Sequence, residues 1–357
     1  MPKAELQQWL LSNQGFRARY SRILTSSVSS QFPSLTASTS EPQAVDWPYL
    51  LFCASILSDS ERADCQDIAL RIAQACMTHP ITTSAQRDTA ALVFDDLANR
   101  VSIDLSINRE LLQSGLTSRL GTLARMEWTR RSIENSISLA DHSTITTNRF
   151  QKEFWSASRE GVWTSASAPT SAGKTFIILQ KIADFFLQNP HGVVVYIVPT
   201  RALIHQVETD FRSLRQEKSL AHVTVSSIPL SALLKPDGAN FFVFTQERLH
   251  LFLSAFETGP RIDLIIVDEA HKVGDGQRGV LLQDVIEHVT NDNPAVRIIF
   301  ASPQTENPET LLSDAPSGVP TRSVRGDDIT VNQNLIWATQ VHGKPRRWKY
   351  PFACQTP

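Results

Sequence analysis

Residues 163–175 read Trp-Thr-Ser-Ala-Ser-Ala-Pro-Thr-Ser-Ala-Gly-Lys-Thr, and this stretch decides the fold. It begins in a run typical of a β-strand, Val162–Ala168, and leads into a segment with helical periodicity, Lys174–Leu187. A strand, a tight turn and a helix in this order are typical of an α/β protein with a parallel sheet. Because backbone N–H groups at such a helix N-terminus bind phosphate, the sequence predicts a phosphate-binding loop between the two segments.

The end of this loop has the chemistry to hold a nucleotide and its metal. Gly173 leaves the backbone open to a phosphate, Lys174 supplies a positive charge for the β and γ phosphates, and the Thr175 hydroxyl can ligate Mg²⁺. A Gly-Lys-Thr sequence can also begin a helix by chance, but the strand before it and the helix after it favour nucleotide binding. The loop residues that we expect around the nucleotide are Thr170, Ser171, Ala172, Gly173, Lys174 and Thr175.

Strands and helices alternate from about residue 162 to residue 301, which predicts βαβ units around a parallel sheet. The predicted strands are Val162–Ala168, Gly192–Val198, His222–Ile228, Asn240–Phe244, Leu264–Val267 and Ala295–Ala301. The predicted helices between them are Lys174–Leu187, Ala202–Arg215, Glu247–Phe256 and Val280–Val289. Sheets of this kind bind ligands at the carboxyl ends of their strands.

A second motif, Leu-Ile-Ile-Val-Asp-Glu-Ala-His, occupies residues 264–271. Its four apolar residues predict a buried strand, with Asp268 and Glu269 at the carboxyl end. Asp268 is suited to hold Mg²⁺, and Glu269 to orient and deprotonate an attacking water. The alternative, a strand capped by two solvated acids, is weak once a phosphate loop precedes them.

These motifs together resemble the ATP-binding half of superfamily 2 helicases, specifically those with a D-E-A-H box. The resemblance covers roughly residues 147–340, and Asp275–Gly279 further resembles the large DExH group. It implies a RecA-like P-loop NTPase domain that binds ATP and Mg²⁺ and acts on DNA or RNA. The other matching elements, in the expected order, are Phe150-Gln151, Pro199–Leu203, Thr245–Leu249 and Ala301–Pro303.

The resemblance implies a role for each matching residue. Lys174, Asp268 and Glu269 would be catalytic, and Gln151 would read adenine. His271 would contact the nucleotide site and couple it to the rest of the helicase. Ser302 would couple ATP to movement, although Pro303 departs from the usual Ser-Ala-Thr. The residues expected to contact nucleic acid are Pro199, Thr200, Arg201, Thr245, Gln246 (where proline is usual) and Arg248. Without the resemblance, Gln151 would be an exposed helix residue, His271 a local hydrogen-bond partner, and the arginines surface ion pairs.

The composition is that of a soluble globular protein, with 41% hydrophobic and 20% charged residues. A formal net charge of −2 gives no global basic field, so a nucleic acid would have to be met by a local patch. No apolar run approaches the ~18 to 20 residues that span a bilayer, and no secretory signal is visible. We therefore expect no membrane partner and a cytoplasmic location, with the four cysteines as free thiols and no structural metal.

Three regions are expected along the chain. Residues 1–145 predict an all-helical N-terminal domain of about five helices with a loop at about 27–48, and its aromatic residues, such as Trp9, Trp47, Phe52 and Trp128, are expected to pack in the core. Residues 146–342 form the predicted ATP-binding domain, with a last strand at Gln333–Val341, and residues 343–357 a basic tail. The predicted N-terminal helical segments are Ala4–Ile23, Tyr49–Leu57, Asp64–Met77, Ala85–Ala98 and Leu116–Ile137.

Only about 55 residues follow Ser302, too few for the second RecA-like domain that such helicases use. We therefore expect ATP binding with slow hydrolysis, and full activity only with a second RecA-like domain or a partner protein in trans. The alternative is a truncated or non-catalytic, nucleotide-responsive module that binds a partner protein or nucleic acid. A phosphate-loop kinase or GTPase is disfavoured, because it would not explain Pro199–Arg201 or the Ala-His that follows Glu269.

Overall fold

The computed structural model describes residues 2–31, 44–256, 260–271, 276–305, 307–326, 331, 339–340, 342–344 and 348–349. The chain divides into two compact units, Met1–Asn135 with Asp328–Pro357, and Ser136–Asp327. The second unit thus begins ten residues before the boundary predicted at residue 146, because a short β-hairpin precedes that residue. It also ends before the predicted boundary at 342.

The first unit is helical, as predicted, but it contains more helices than the five expected from sequence. The predicted segment Ala4–Ile23 is broken at Asn13, whose backbone is extended and whose side chain accepts a hydrogen bond from the Phe16 N–H at 2.9 Å. Leu120 and Gly121 are extended too and divide the segment Leu116–Ile137. The helices are α1 (Lys3–Ser12), α2 (Gln14–Gln31), α3 (Trp47–Leu57), α4 (Ala63–Thr78), α5 (Ser84–Asp96), α6 (Arg100–Asn108), α7 (Leu116–Arg119) and α8 (Thr122–Glu134).

The loop predicted at residues 27–48 is wrong at both ends, and its middle part, residues 32–43, lies outside the described residues. α2 continues to Gln31, and α3 already begins at Trp47. The start of α3 has a local cause: the Asp46 side chain accepts a hydrogen bond from the Tyr49 N–H at 3.3 Å, and a proline lies in the first turn.

The core of the first unit is built from the apolar faces of these helices. Trp47 is buried there, and Trp128 packs against the same cluster. The expected packing of Trp9 and Phe52 is wrong, because 47% and 64% of their surfaces are exposed. The three described cysteines are free and buried, and they are Cys53, Cys65 and Cys76.

The second unit contains an antiparallel hairpin and a larger sheet with its helices. The strands are β1 (Ser136–Ser138), β2 (Thr144–Thr146), β3 (Trp163–Ser167), β4 (Val193–Ile197), β5 (Thr224–Ser226), β6 (Asn240–Phe244), β7 (Leu264–Val267), β8 (Arg297–Ser302) and β9 (Thr321–Arg325). The helices are α9 (Arg149–Glu160), α10 (Lys174–Gln188), α11 (Arg201–Glu217), α12 (Gln246–Leu253) and α13 (Gly276–Asp292). Single 3-10 turns lie at Thr170–Ala172, Ser231–Leu233 and Pro308–Leu312.

The larger sheet has seven parallel strands in the order β5-β6-β4-β7-β8-β3-β9. This confirms the predicted fold class, an α/β parallel sheet flanked by helices and preceded by a helical region. β9 was not predicted, and it is an edge strand in which Val324 alone is buried.

Successive side chains of a strand point to opposite faces of the sheet, and this divides the core into two layers. Val194 and Tyr196 of β4 belong to the cluster that packs against α9, α10 and α11. Val193, Val195 and Ile197 belong to the opposite cluster, with side chains of α12 and α13. Helices therefore cover both faces, and the ligand-binding edge is the one where the strands end.

The last part of the chain is described only in short pieces. β10 (Thr339–Gln340) pairs antiparallel with β11 (Trp348–Lys349). The rest of the predicted strand Gln333–Val341, and all of the basic tail except residues 343–344 and 348–349, lies outside the described residues. Within the part of the chain that is described, no helix is long and apolar enough to cross a bilayer.

Candidate nucleotide-binding site

The predicted phosphate loop connects β3 to α10. It contains the 3-10 turn Thr170–Ala172 and ends at Gly173, which directly precedes α10. The backbone φ angle of Gly173 is +73°. A Cβ atom at Gly173 would collide with Nε2 of Gln151. Glycine is therefore required here twice, for the left-handed backbone and for the close approach of a side chain.

Gln151 holds this loop from α9. Its backbone N–H donates to Oδ1 of Asn148 at 2.8 Å, and its Oε1 accepts from the Asn148 N–H at 3.1 Å, which is a capping box. Its Nε2 donates to the carbonyl groups of Ala172 at 3.1 Å and Gly173 at 3.3 Å. Gln151 is thus a buried contact of the loop, not an exposed helix residue, and its reading of adenine stays a prediction.

Lys174 lies beneath the loop and is 7% exposed. Its ammonium group donates to the carbonyl oxygens of Ala168 and, at 3.1 Å, Pro169. Burial lowers the pKa of Lys174, whereas the charges of Glu269 and Asp268 act to raise it. The structure therefore brings the lysine of the first motif within electrostatic reach of both acids of the second.

The acidic pair follows β7. Asp268 accepts one hydrogen bond at each carboxylate oxygen, from the Glu269 N–H at 2.9 Å and from the Tyr196 hydroxyl at 3.1 Å. Burial raises the pKa of Asp268 above its usual value. Glu269 has φ +53°, which is unusual for a residue with a side chain, and its Oε2 lies 3.4 Å from Nδ1 of His271.

Oxygen ligands of the kind that Mg²⁺ prefers meet at this place. The Asp268 carboxylate is held by the Tyr196 hydroxyl. Burial raises the pKa of Tyr196 well above its usual value, and the Thr175 side chain acts in the opposite direction. The two residues predicted to hold the metal therefore both influence the pKa of one buried tyrosine. The donor set fits Mg²⁺, with Thr175 and Asp268 as the residues that would hold it.

Two contributors to the site were missed in the sequence. Tyr196 stands in an aliphatic run, and the only signal was that a phenol hydroxyl in a buried strand needs a partner. Ser167 is the last residue of β3, and its hydroxyl donates to the Pro303 carbonyl at 3.0 Å and accepts from the Thr305 N–H at 2.8 Å.

Ser302, the predicted coupling residue, is buried, and its hydroxyl has no hydrogen-bond partner in the described part of the chain.

The residues predicted to contact nucleic acid lie after β4 and β6, which are neighbouring strands. Pro199 is half-buried, and Thr200 and Arg201 are exposed where α11 begins. These three residues form one group at the carboxyl edge of the sheet.

The second group, after β6, is less accessible. Thr245 caps α12, accepting from the Arg248 N–H at 3.4 Å, and Gln246 is buried. The Arg248 guanidinium donates to the Ser227 carbonyl at 2.7 Å. Arg248 therefore anchors the segment after β5, and Thr200 and Arg201 are the solvent-facing members of the predicted set.

Residues 148–310 match the sequence profile of the DEAD/DEAH box helicase family. Over 142 residues the chain is 30% identical to putative helicase 7 of Sulfolobus islandicus filamentous virus (isolate Iceland/Hveragerdi). The aligned region is 38% of this chain and 22% of that protein. It is 27% identical over 180 residues to ATP-dependent DNA helicase Hel308 of Thermoplasma volcanium, covering 48% of this chain and 24% of that protein. The match thus spans less than a quarter of the length of both relatives.

Among solved structures, helicase Lhr of Mycobacterium smegmatis bound to ssDNA and AMP-PNP is 24% identical, with a TM-score of 0.42. That match covers 58% of this chain and 28% of the other. The residues that match the DEAD/DEAH box helicase profile, 148–310, contain β3 to β8 of the parallel sheet, which has the architecture of a RecA-like fold.

Proposed function

We propose that the second unit binds ATP with Mg²⁺ and couples ATP binding and hydrolysis to the remodelling of DNA or RNA. The observation that carries this proposal is the convergence of Lys174, Asp268 and Glu269, from two distant motifs, beside the Gly173 turn. A lysine, a metal-holding carboxylate and a second carboxylate at a phosphate loop are the parts that phosphoryl transfer requires.

Each residue has a defined task in this proposal. The Lys174 ammonium exchanges the carbonyls of Ala168 and Pro169 for phosphate oxygens, while the backbone N–H groups at the start of α10 bind the same phosphates. When Mg²⁺ is bound, it neutralises charge that develops on the phosphates. Glu269 orients the attacking water and accepts its proton, and His271 beside it orients the Glu269 carboxylate.

Nucleic acid is proposed to bind along the carboxyl edge of β4 and β6. Thr200 and Arg201 lie at the N-terminus of α11, where a hydroxyl, a guanidinium and backbone N–H groups can meet phosphate oxygens. Contacts of this kind do not depend on base sequence, which suits an enzyme that follows the backbone of a strand.

A second RecA-like domain, in cis or in trans, is proposed to complete the site. The charged groups that shift the pKa of Asp268 include Glu269 and Lys174. Helicases and related enzymes use an arginine to stabilise the transition state, with a rate effect of ~10³ to 10⁵. We expect that arginine to come from the second domain.

The second candidate is a nucleotide-responsive module that binds without turnover. The observation that favours it is the closed loop, in which the side chains of Lys174 and Gln151 are both bound to loop carbonyls. A nucleotide would open these contacts, and a partner could sense that change.

Steady-state ATP hydrolysis, with and without single-stranded DNA or RNA, tests the proposal. We expect nucleic acid to stimulate turnover and Glu269→Gln to abolish it, while Lys174→Ala removes nucleotide binding. Lys235→Ala, an exposed lysine of the same unit, is the control and should match the unchanged chain. Binding that depends on Lys174, without turnover even when a second RecA-like domain is supplied, supports the second candidate. Turnover that persists in Glu269→Gln overturns the catalytic assignment.

A further inference from the structure

Tyr196 is a fully buried residue whose polar group is aimed at the edge of the sheet. It lies near the end of β4, with 0% of its surface exposed, among the aliphatic residues Val193, Val194, Val195 and Ile197. A phenol hydroxyl at such a depth requires a hydrogen-bond partner. Its partner is Oδ2 of Asp268, at 3.1 Å, 72 residues away in the chain.

The carboxylate of Asp268 is fixed by two donors, one on each oxygen. Oδ1 accepts from the Glu269 N–H at 2.9 Å, and Oδ2 accepts from Tyr196. The Asp268 backbone N–H also donates to the Ile197 carbonyl at 2.9 Å, so β4 holds both the main chain and the side chain of this residue. A carboxylate has about four acceptor sites, so each oxygen of Asp268 retains a lone pair for a cation.

We propose that Tyr196 is a positioning residue for magnesium, whose hydroxyl orients the Asp268 carboxylate toward the cation. This inference deepens the proposed function and rests on it. Groups that orient metal ligands without touching the metal change metal affinity by about 10 to 100-fold when they are removed. Tyr196 has 0% of its surface exposed, so we expect its effect to be confined to the metal.

The test is a Mg²⁺ titration of nucleotide binding, measured with a fluorescent ATP analogue from a starting point in EDTA. Tyr196→Phe keeps the ring in the core and removes one oxygen. We expect the apparent affinity for Mg²⁺ to fall about tenfold, with unchanged binding of the analogue in EDTA. Tyr49→Phe, which removes a phenol hydroxyl in the first unit, is the matched control and should leave the Mg²⁺ titration unchanged.

Asp268→Asn separates failure of this inference from failure of the proposed function. The role of Tyr196 is overturned, and the nucleotide site stands, if three results occur together. Mg²⁺ strengthens binding of the analogue to the unchanged chain, Asp268→Asn removes that effect, and Tyr196→Phe gives the same Mg²⁺ titration as the unchanged chain. If the unchanged chain binds no analogue with or without Mg²⁺, both fall. In the double variant, we expect Tyr196→Phe to cause no further loss of the Mg²⁺ effect beyond that of Asp268→Asn, because Tyr196 acts through that carboxylate. An additive loss of analogue binding in EDTA would show a merely structural role and overturn the proposal.

Discussion

Gln151 and Gly173 are fitted to each other across the phosphate loop. Nε2 of Gln151 lies 3.3 Å from the Gly173 carbonyl oxygen, and a side chain at position 173 would occupy the place of that nitrogen. The helix that precedes β3 therefore holds the turn that follows it. The resemblance assigns to Gln151 the reading of adenine, and the structure adds a second task that can be measured separately.

Replacing Gln151 distinguishes these two tasks. Gln151→Ala loses two hydrogen bonds to the loop, and Gln151→Glu places a carboxylate against the same two carbonyl oxygens. If the residue holds the loop, the affinities for ADP and GDP fall together, about tenfold for Ala and further for Glu. Selective loss of ADP binding would instead show adenine reading alone. The measurement is fluorescence titration, with Gln206→Glu on the exposed face of α11 as the control.

Ser167 and Ser302 are paired residues of β3 and β8 and provide a matched comparison. Ser167→Ala removes the partner of the Pro303 carbonyl and of the Thr305 N–H, so we expect a loss of about 1–3 kcal/mol in the free energy of unfolding. Ser302→Ala removes a buried hydroxyl without a partner in the described residues, and we expect a change below about 0.5 kcal/mol. Urea unfolding of both variants decides this. If Ser302→Ala loses more unfolding free energy than Ser167→Ala, then Ser302, and not Ser167, links the phosphate loop to the segment after β8.

The backbone of Glu269 predicts a conflict between stability and activity. Its φ of +53° costs a residue with a side chain about 1–2 kcal/mol, whereas asparagine adopts this conformation more readily. Neither Glu269→Asn nor Glu269→Ala can accept a proton from water, so both lack turnover. We expect Glu269→Asn to be the more stable of the two by about 0.5–1 kcal/mol in urea unfolding. Equal stability of the two variants would mean that this backbone is not strained.

The sheet was predictable where burial on both faces produces a continuous apolar run. β6 and β7 have the bounds predicted for them, because all their residues are buried and polar residues follow at once. β9 lacks such a run: among the described strands it pairs only with β3, and one of its five residues is buried. An edge strand of this kind leaves no periodic signal in a sequence.

The site was predictable where its residues are contiguous. Lys174 and Thr175 belong to one motif and Asp268 and Glu269 to another, and their spacing alone indicates phosphate chemistry. Tyr196 was not predictable in this way, because its role depends on a contact between residues 72 positions apart. The same holds for Ser167, whose partner Pro303 is 136 positions away.

Lys181 is a buried cation that the proposed mechanism does not use. It lies on α10, is 7% exposed, and its ammonium group lies 4.7 Å from the centroid of the Trp155 ring. Burial lowers the pKa of Lys181 from 10.5 to about 8. Asp184 acts in the opposite direction, and Arg297 and Arg159 add to the lowering.

The pH dependence of stability follows from this pKa. Between pH 8 and 10.5 the unfolded chain binds a proton at Lys181 that the folded chain lacks, so the destabilisation caused by this residue declines progressively as the pH rises through that range. Below about pH 8 the charged lysine must be buried, and the full cost is present. The difference between 10.5 and about 8 corresponds to roughly 3 kcal/mol.

Lys181→Met removes a charge from this environment while keeping a long apolar side chain. We expect the variant to gain most over the unchanged chain at pH 7, and that gain to decline by roughly 3 kcal/mol as the pH approaches 10.5, because the unchanged lysine becomes neutral in both states. Urea unfolding at pH 7, 8, 9 and 10 measures the difference at each step. Lys235→Met, at an exposed position, controls for other groups that titrate and should show no such decline. A gain for Lys181→Met that is the same at pH 7 and pH 10 would mean that Lys181 is charged at no greater cost in the fold than in water.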